Sequence, residues 1–422
     1  MERFVGKTSR VGTPVGTVRY RDVLAVGEFR ALLSCEALSV LGDQVARVAV
    51  ALLVYSRTGS ALAASGTFAA SFLTWLVAGP LLSTFADRYP RRTVMVVCDA
   101  GRALVFAGLA FSGGGTAVVL TLLVVGSLFA PPFEAARSAV TADILPAESY
   151  AAGNGVINAV AQAAQAGGFL LGGALVAAMG SRHALLADAV TFLVSAVVIR
   201  VVLADRRLNR APTGRTSVLA DMTAGLRFVV GSPMLRWLLG LALLSMAMLT
   251  APEGLAVPIA AAHHQGPFAA GVLTAAAPAG FVLGSFVVLR LPSERRLRLI
   301  TPLAVASGVP LLLTPLLPGV ASIAVVWAVA GVGSSMQVVA NAAFVLGTPQ
   351  DMRGRAFGLA STLLLGIQGV FMLVAGALAE TFDPELVVAV LAAAALLALP
   401  GVSLLSRTRQ DMTQETPDVS RV

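Results

Sequence analysis

Glu36, Asp43 and Arg47 stand in one apolar run, residues 29–54. At roughly 100° per residue, steps of 7 and 11 put Asp43 and Arg47 about 20° to either side of Glu36 on a helix, so the three form one stripe. Ionisable groups inside a bilayer are expensive and are functional candidates by default. Arg47, one turn after Asp43, is its expected partner. The pair reads either as a structural ion pair or as a proton-exchange site. Burial and a nearby guanidinium act in opposite senses on a carboxyl group, so a change in their separation would drive proton uptake and release. Glu253 is the acidic residue of the run 234–261. It stands between Pro252 and Gly254, where the helix is expected to break, and broken helices line membrane cavities. It reads as a site for a proton or a substrate cation, or as a carboxylate at the outer end that reaches water.

Two polar stripes accompany the charges. Asn158 and Gln162, flanked by Asn154 and Gln165, share one face of the run 153–179. Ser334, Gln337 and Asn341 share one face of the run 320–347. Residues three or four apart are neighbours on a helix. The stripes would either line a cavity, offering donors and acceptors to a substrate, or hydrogen-bond to neighbouring helices. His263 and His264 fall in a loop and read as incidental. Cys35 and Cys98 lie in apolar runs without ligand spacing. There is no nucleophile–base constellation, metal set or phosphate-binding Gly-Lys motif. The expectation is therefore no enzyme, no metal and no cofactor.

The elements that position these residues are membrane helices. Of 422 residues, 57% are hydrophobic and only 12% charged, against about 25% charged in soluble domains. A bilayer core needs about 20 apolar residues per helix. Twelve runs qualify: 29–54, 61–86, 93–112, 117–142, 153–179, 184–203, 234–261, 267–291, 298–317, 320–347, 356–381 and 384–405. They are numbered here as spans 1 to 12. The first is too long for a signal segment and reads as a retained span. Net charge is +8. The arginines cluster in alternate loops, which fits cytoplasmic loops rather than nucleic-acid binding. Arg88, Arg91, Arg92, Arg206, Arg207, Arg210, Arg215, Arg295, Arg296, Arg298, Arg353 and Arg355 fall on one side, with Arg57 and Arg182 on the other. Both termini are thus expected in the cytoplasm.

The polar stretch 204–233 divides six spans from six. The expected organisation is a leader (1–28), a six-helix bundle (29–203), a cytoplasmic linker (204–233), a second six-helix bundle (234–405) and a tail (406–422). The halves echo each other: Pro146, Glu148, Gly155, Gly173, Ala174 and Leu175 recur 203 residues later as Pro349, Asp351, Gly358, Gly376, Ala377 and Leu378. Parallel six-span repeats mark transporters.

Between spans 2 and 3 the chain reads Ser83-Thr-Phe-Ala-Asp87-Arg88-Tyr-Pro90-Arg91-Arg92. This resembles the signature loop of the major facilitator superfamily, with Ser83 and Pro90 where that family usually has glycine. Gly42-Asp43 with Arg47, Asp99-Ala-Gly-Arg102, Asp188 with Thr191-Phe-Leu, and Arg353-Gly-Arg355 are similar to its drug and siderophore exporters. The glycine-rich signature of drug antiporters reads here Gly155, Ala164, Gly168, Phe169, Gly172 and Gly173, with Ala164 in place of a glycine and Phe169 in place of a proline. The resemblance implies an all-α polytopic membrane protein, twelve transmembrane helices in two pseudo-symmetric bundles. It implies that Asp87, Arg88, Arg91 and Arg92 act as a charged latch between the halves, unless the arginines simply anchor topology. The leading expectation is a monomeric, proton-driven exporter of a small amphipathic substrate in the inner (cytoplasmic) membrane. An uptake carrier or lysolipid translocator of the same fold is the alternative, and a non-transporting receptor or scaffold a further one. The partners implied are substrate, protons and the lipid bilayer, with no nucleic acid.

Overall fold

The computed structural model describes residues 20–82, 88–204, 218–350 and 352–404. Eleven helices in it are long and apolar enough to cross a membrane. One of them, Ala147–Val202, is interrupted at Gly180, whose backbone (φ 79°, ψ 163°) only glycine adopts freely. It therefore supplies two spans, and the total is twelve. Span 1 is Gly27–Thr58 and ends at Gly59, a left-handed cap whose N–H donates to the Tyr55 carbonyl at 2.8 Å. Span 2 is Ala61–Leu82 and span 3 is Arg91–Phe111. Spans 5 and 6 lie on either side of Gly180. Span 7 is Pro233–Ala262, span 8 Pro267–Leu289, span 11 Arg353–Leu378 and span 12 Pro384–Leu404.

Three spans are not single α-helices. Span 4 is Thr116–Ser127 followed by Ala130–Ile144, and span 10 is Val320–Ser334 followed by Met336–Leu346. Span 9 runs as Ser293–Ala306 and then a 3₁₀ segment, Val309–Leu316, which carries Pro310 and Pro315. Spans 4 and 10 hold equivalent places in the two halves, so the repeat extends to where the helices break.

Two expectations need correction. Span 7 does not break at Glu253: it stays α-helical through Pro252 and Pro258. A proline removes the hydrogen bond to the carbonyl four residues earlier, which for Pro258 is that of Gly254. The Ser65 hydroxyl of span 2 donates to this carbonyl at 2.8 Å instead, and neighbouring side chains of this kind are what let proline persist in membrane helices. The stretch read as a linker is also not wholly irregular, because Val218–Gly231 is a helix. Its Gly225 lies so close to span 11 that a Cβ there would meet the Arg355 carbonyl oxygen at 2.6 Å.

The spans 1, 3, 4, 5 and 6 share apolar clusters, and spans 7 to 12 share another. The halves meet through small residues. A Cβ on Gly173 of span 5 would lie 2.7 Å from the Gly271 Cα of span 8. A Cβ on Gly376 of span 11 would lie 2.9 Å from the Leu62 Cα of span 2. Small-residue interfaces of this kind let membrane helices approach backbone to backbone. These contacts lie at the end away from the clustered arginines, the far end, and extend to mid-depth, where Leu73 meets Gly369. Toward the arginine-rich end, the basic end, Gly155 of span 5 and Gly358 of span 11 face open space. The halves thus pack backbone to backbone at the far end, and these two glycines make no such contact at the basic end.

Candidate functional site

Span 1 carries its charges as one stripe, but the pairing differs from the expected one. Asp43 lies 3.6 Å from Arg102 of span 3, not against Arg47. Arg102 is 4% exposed, and a guanidinium sealed this deeply needs a counter-charge more than one beside an opening. Its Nη1 also lies 3.3 Å from the Ser39 hydroxyl. The rings of Phe133 and Phe192 stand 5.5 and 5.2 Å from its centre, close enough for a cation–π contribution. Arg47 turns instead toward span 2, with its guanidinium 5.3 Å from the Phe72 ring. It is also within electrostatic reach of Glu253 in span 7. The two lie in opposite halves and are not in ion-pair contact in this structure. Glu253 Oε1 is buried and has no hydrogen-bond partner among the described residues.

One to two turns toward the basic end, Glu36 pairs with Arg137 of span 4 at 3.1 Å. Arg137 also pairs with Glu134, one turn earlier on its own helix. The N-terminal half thus holds a ladder of carboxylates and guanidiniums across spans 1, 3 and 4. Arg102, Glu134 and Arg137 were absent from the sequence-level candidates as charges, although they interrupt the apolar runs 93–112 and 117–142. That interruption was the available signal.

A small cavity of about 40 Å³ borders Asp43, Arg47, Arg102, Ser71, Trp75 and Ser127. It has room for roughly one or two waters and none for a drug-sized molecule. A larger recess of about 610 Å³ lies between spans 2, 3 and 4. Leu82, Val97, Phe129 and Pro132 line it, and it offers no charge. Of the two, only the smaller cavity is bordered by charged side chains.

Asn158 on span 5 and Asn341 on span 10 are exposed; Gln162 and Gln337 are half-buried. None of the four has a hydrogen-bond partner among the described residues. Asp87 lies outside the described residues. Arg88 is exposed. Arg91 pairs with Asp143 of span 4 and donates to the Ala139 carbonyl at 3.1 Å. Arg92 donates to the Leu203 carbonyl of span 6 at 3.2 Å. These bonds lie within the N-terminal half. Close glycine packing is visible in span 5, where Gly168 and Gly172 abut Leu41 and Val45 of span 1. Phe169 is fully buried, its ring 6.4 Å from that of Phe68.

At the far end two polar contacts cross between elements. His263 is not incidental: its Nε2 lies 2.5 Å from Glu385 Oε1 at the start of span 12. Glu380, just after span 11, caps the start of span 2, accepting from the Leu62 N–H at 2.8 Å and the Ser60 hydroxyl at 2.7 Å. The Leu62 N–H, then the Ser60 hydroxyl, hold the Glu380 carboxyl below its usual range. A depressed carboxyl stabilises the closed far end above the ordinary carboxylate value and loses that contribution as pH falls through the depressed one. The melting-temperature gap between the parent and Glu380→Gln should therefore be widest at neutral pH and shrink on acidification below the carboxylate range. A gap that is constant down to that range would rule this contribution out.

Residues 32–367 match the sequence pattern of the Major Facilitator Superfamily. The chain is 28% identical over 362 residues to the multidrug efflux pump Tap of Mycobacterium tuberculosis, covering 83% of this chain and 86% of that protein. It is 28% identical over 356 residues to Tap of Mycolicibacterium fortuitum, covering 80% and 86%. Among solved structures it resembles a bacterial homolog of the human lysosomal transporter Spinster, in an inward-facing and unoccupied conformation. The TM-score is 0.64, with 15% identity, covering 93% of this chain and 95% of that one. It also resembles a POT family transporter in complex with 5-aminolevulinic acid, with TM-score 0.71 and 10% identity, covering 90% and 96%. These structural likenesses concern the fold. With twelve spans, halves that close at one end and the family pattern across most of its length, the chain belongs to the Major Facilitator Superfamily and is a membrane transporter.

Proposed function

We propose that this transporter exports amphipathic small molecules, drugs among them, against proton entry, by alternating access. The observation that carries the reading is a pair of polar faces, one in each half, beside the opening at the basic end. Asn158 and Gln162 stand on one side and Gln337 and Asn341 on the other, all with unused donors and acceptors. They would meet the polar part of a substrate, and the apolar helix surfaces its hydrophobic part. The relatives named as multidrug efflux pumps support the direction of transport. The arginine-rich loops support a cytoplasmic placement of the open end and of both termini in the inner membrane.

Asp43 serves as the carboxylate that exchanges protons with the cavity. Its side chain is 31% exposed, so water reaches it while Arg102 behind it stays sealed. Glu253 and Arg47, on facing halves, supply the matching pair of opposite charges. Rocking of the halves about the midplane would separate them. The loop of Asp87, Arg88, Arg91 and Arg92 acts as the cytoplasmic latch: in the opposite state its charges would bridge the halves, releasing the intra-half bonds of Arg91 and Arg92.

The test is proteoliposomes loaded with the cationic dye ethidium. Dye movement should accelerate when a pH gradient is imposed and lose that acceleration in Asp43→Asn. The same rate with and without the gradient would remove proton coupling. An unaltered response in Asp43→Asn would remove Asp43 from the mechanism.

A further inference from the structure

We propose that the carried proton is held behind Asp43, on Asp99 of span 3 and Asp188 of span 6, and that Arg102 switches between these two and Asp43. This rests on the exporter reading above but concerns residues that reading does not use.

Three carboxyl groups surround one guanidinium. Asp43 comes from span 1, Asp99 and Arg102 from span 3 and Asp188 from span 6. Asp99 is 0% and Asp188 1% exposed. Neither Asp99 oxygen has a hydrogen-bond partner among the described residues, and Asp188 Oδ2 has none either. The Thr191 hydroxyl donates to the Asp188 backbone carbonyl at 2.7 Å and, at the longer distance of 3.3 Å, to Asp188 Oδ1. Ser195, two turns after Asp188, is fully buried and its hydroxyl faces Asp99. Arg102 meanwhile is engaged by Asp43 at 3.6 Å and by Ser39.

Among the described residues, the other cations near the cluster are engaged elsewhere. The charged groups facing it are Glu36 and Asp43 from span 1, Arg102 from span 3, and Glu134 and Arg137 from span 4. Arg47 of span 1 borders the same small cavity as Asp43 and Arg102, but its guanidinium is turned to the Phe72 ring. Arg137 is already shared by Glu36 and Glu134. The other titratable neighbours are the thiols of Cys35 and Cys98, which are buried and free. A sealed carboxylate with at most one shared donor and no ion pair of its own is disfavoured, whereas the neutral acid is not. With Arg102 committed to Asp43, the charge balance is met when Asp99 and Asp188 carry protons.

The packing keeps room for this arrangement. A Cβ on Gly42 of span 1 would lie 2.2 Å from Asp188 Oδ1 and 2.4 Å from Thr191 Oγ1. Only the missing methyl lets the span 6 carboxyl lie against span 1, next door to Asp43. The Gly42-Asp43 step thus brings two carboxyls from different helices to one guanidinium.

The step itself changes no bond but O–H. When Asp43 is drawn toward the cavity, by a cationic substrate or by rocking of the halves, Arg102 turns to the sealed pair. One acid there then ionises against Arg102. Its proton leaves by way of Asp43 and the small cavity bordered by Ser71 and Ser127. The return of Asp43 to Arg102 reverses the step, and one proton enters for each that left.

Infrared difference spectra of the full chain in lipid, recorded between acid and alkaline pH, test the proposal without a substrate. The parent should show the C=O stretch of a protonated carboxylic acid. It should weaken in Asp99→Asn and in Asp188→Asn and weaken further in the double variant. Undiminished intensity in the double variant overturns the proposal. Gly42→Ala keeps every acid but pushes Asp188 aside, so it should displace the band or its titration midpoint; an unmoved band and midpoint overturn the placement of Asp188. In ethidium proteoliposomes the double variant should lose at least about tenfold of the pH-gradient response, and a parental response also overturns the proposal. If the parent moves no dye, the exporter reading fails, while the infrared bands still decide whether the proton is held there.

Discussion

Replacing Arg102 by methionine should lower stability by about 3–5 kcal/mol and abolish gradient-driven transport. Removing one partner of a buried ion pair leaves the other charge uncompensated, and that penalty sets the magnitude. Arg102 is sealed between two phenylalanine rings and is the counter-charge of Asp43. Methionine fills much of the same volume, so the loss reports charge rather than a cavity. The measurement is the apparent unfolding temperature in detergent, read with the dye assay. Adding Asp43→Asn to Arg102→Met should recover part of the lost stability and none of the transport, since coupled residues are non-additive. If Arg102→Met unfolds at the parental temperature, the buried pair is not what holds spans 1 and 3 together.

Gly173→Leu, or Gly271→Leu, should prevent closure of the far end and reduce transport to background. A Cβ on Gly173 would meet the Gly271 Cα at 2.7 Å and the Pro267 carbonyl oxygen at 2.8 Å. Both are backbone atoms, which cannot swing aside. The helices must separate or the closed state must be given up. The readout is labelling of an introduced thiol, Ala61→Cys, at the start of span 2, with Cys35 and Cys98 replaced by alanine. Ala61 is buried in the apolar cluster that joins the halves. A membrane-impermeant maleimide should label it faster in Gly173→Leu than in the parent. Equal labelling together with normal transport would mean that this glycine contact does not govern closure.

The fold was legible because the bilayer imposes it. Hydropathy gave the twelve spans to within a few residues at most boundaries, since each backbone polar group in lipid must be bonded within a helix. Local composition could not show that Pro252 and Pro258 are carried without a break, because the compensating donor, Ser65, lies 189 residues away in the other half. The helix Val218–Gly231 is shorter than a span and lies in a stretch whose polar composition marks a linker without specifying its conformation.

The candidate site was legible in its residue types and less so in its partners. Helical periodicity put Glu36, Asp43 and Arg47 on one stripe, but it sees only one helix at a time. It therefore paired Asp43 with its neighbour in sequence rather than with Arg102, 59 positions on. Asp188 entered only as part of a family likeness. Its tie to Gly42 is an interhelical clearance, which no one-dimensional pattern contains. His263 looked idle for the same reason: Glu385 is 122 residues away.

The Ser65 bond to the Gly254 carbonyl has a consequence for the resting population. Span 7 is a helix with a backbone vacancy, and the opposite half fills that vacancy only while the far end is shut. Opening must hand the carbonyl to water. A net hydrogen bond contributes about 1 kcal/mol, roughly a fivefold tilt in a two-state equilibrium. The proline thus acts as a small, fixed bias written into the main chain, favouring the conformer whose far end is shut.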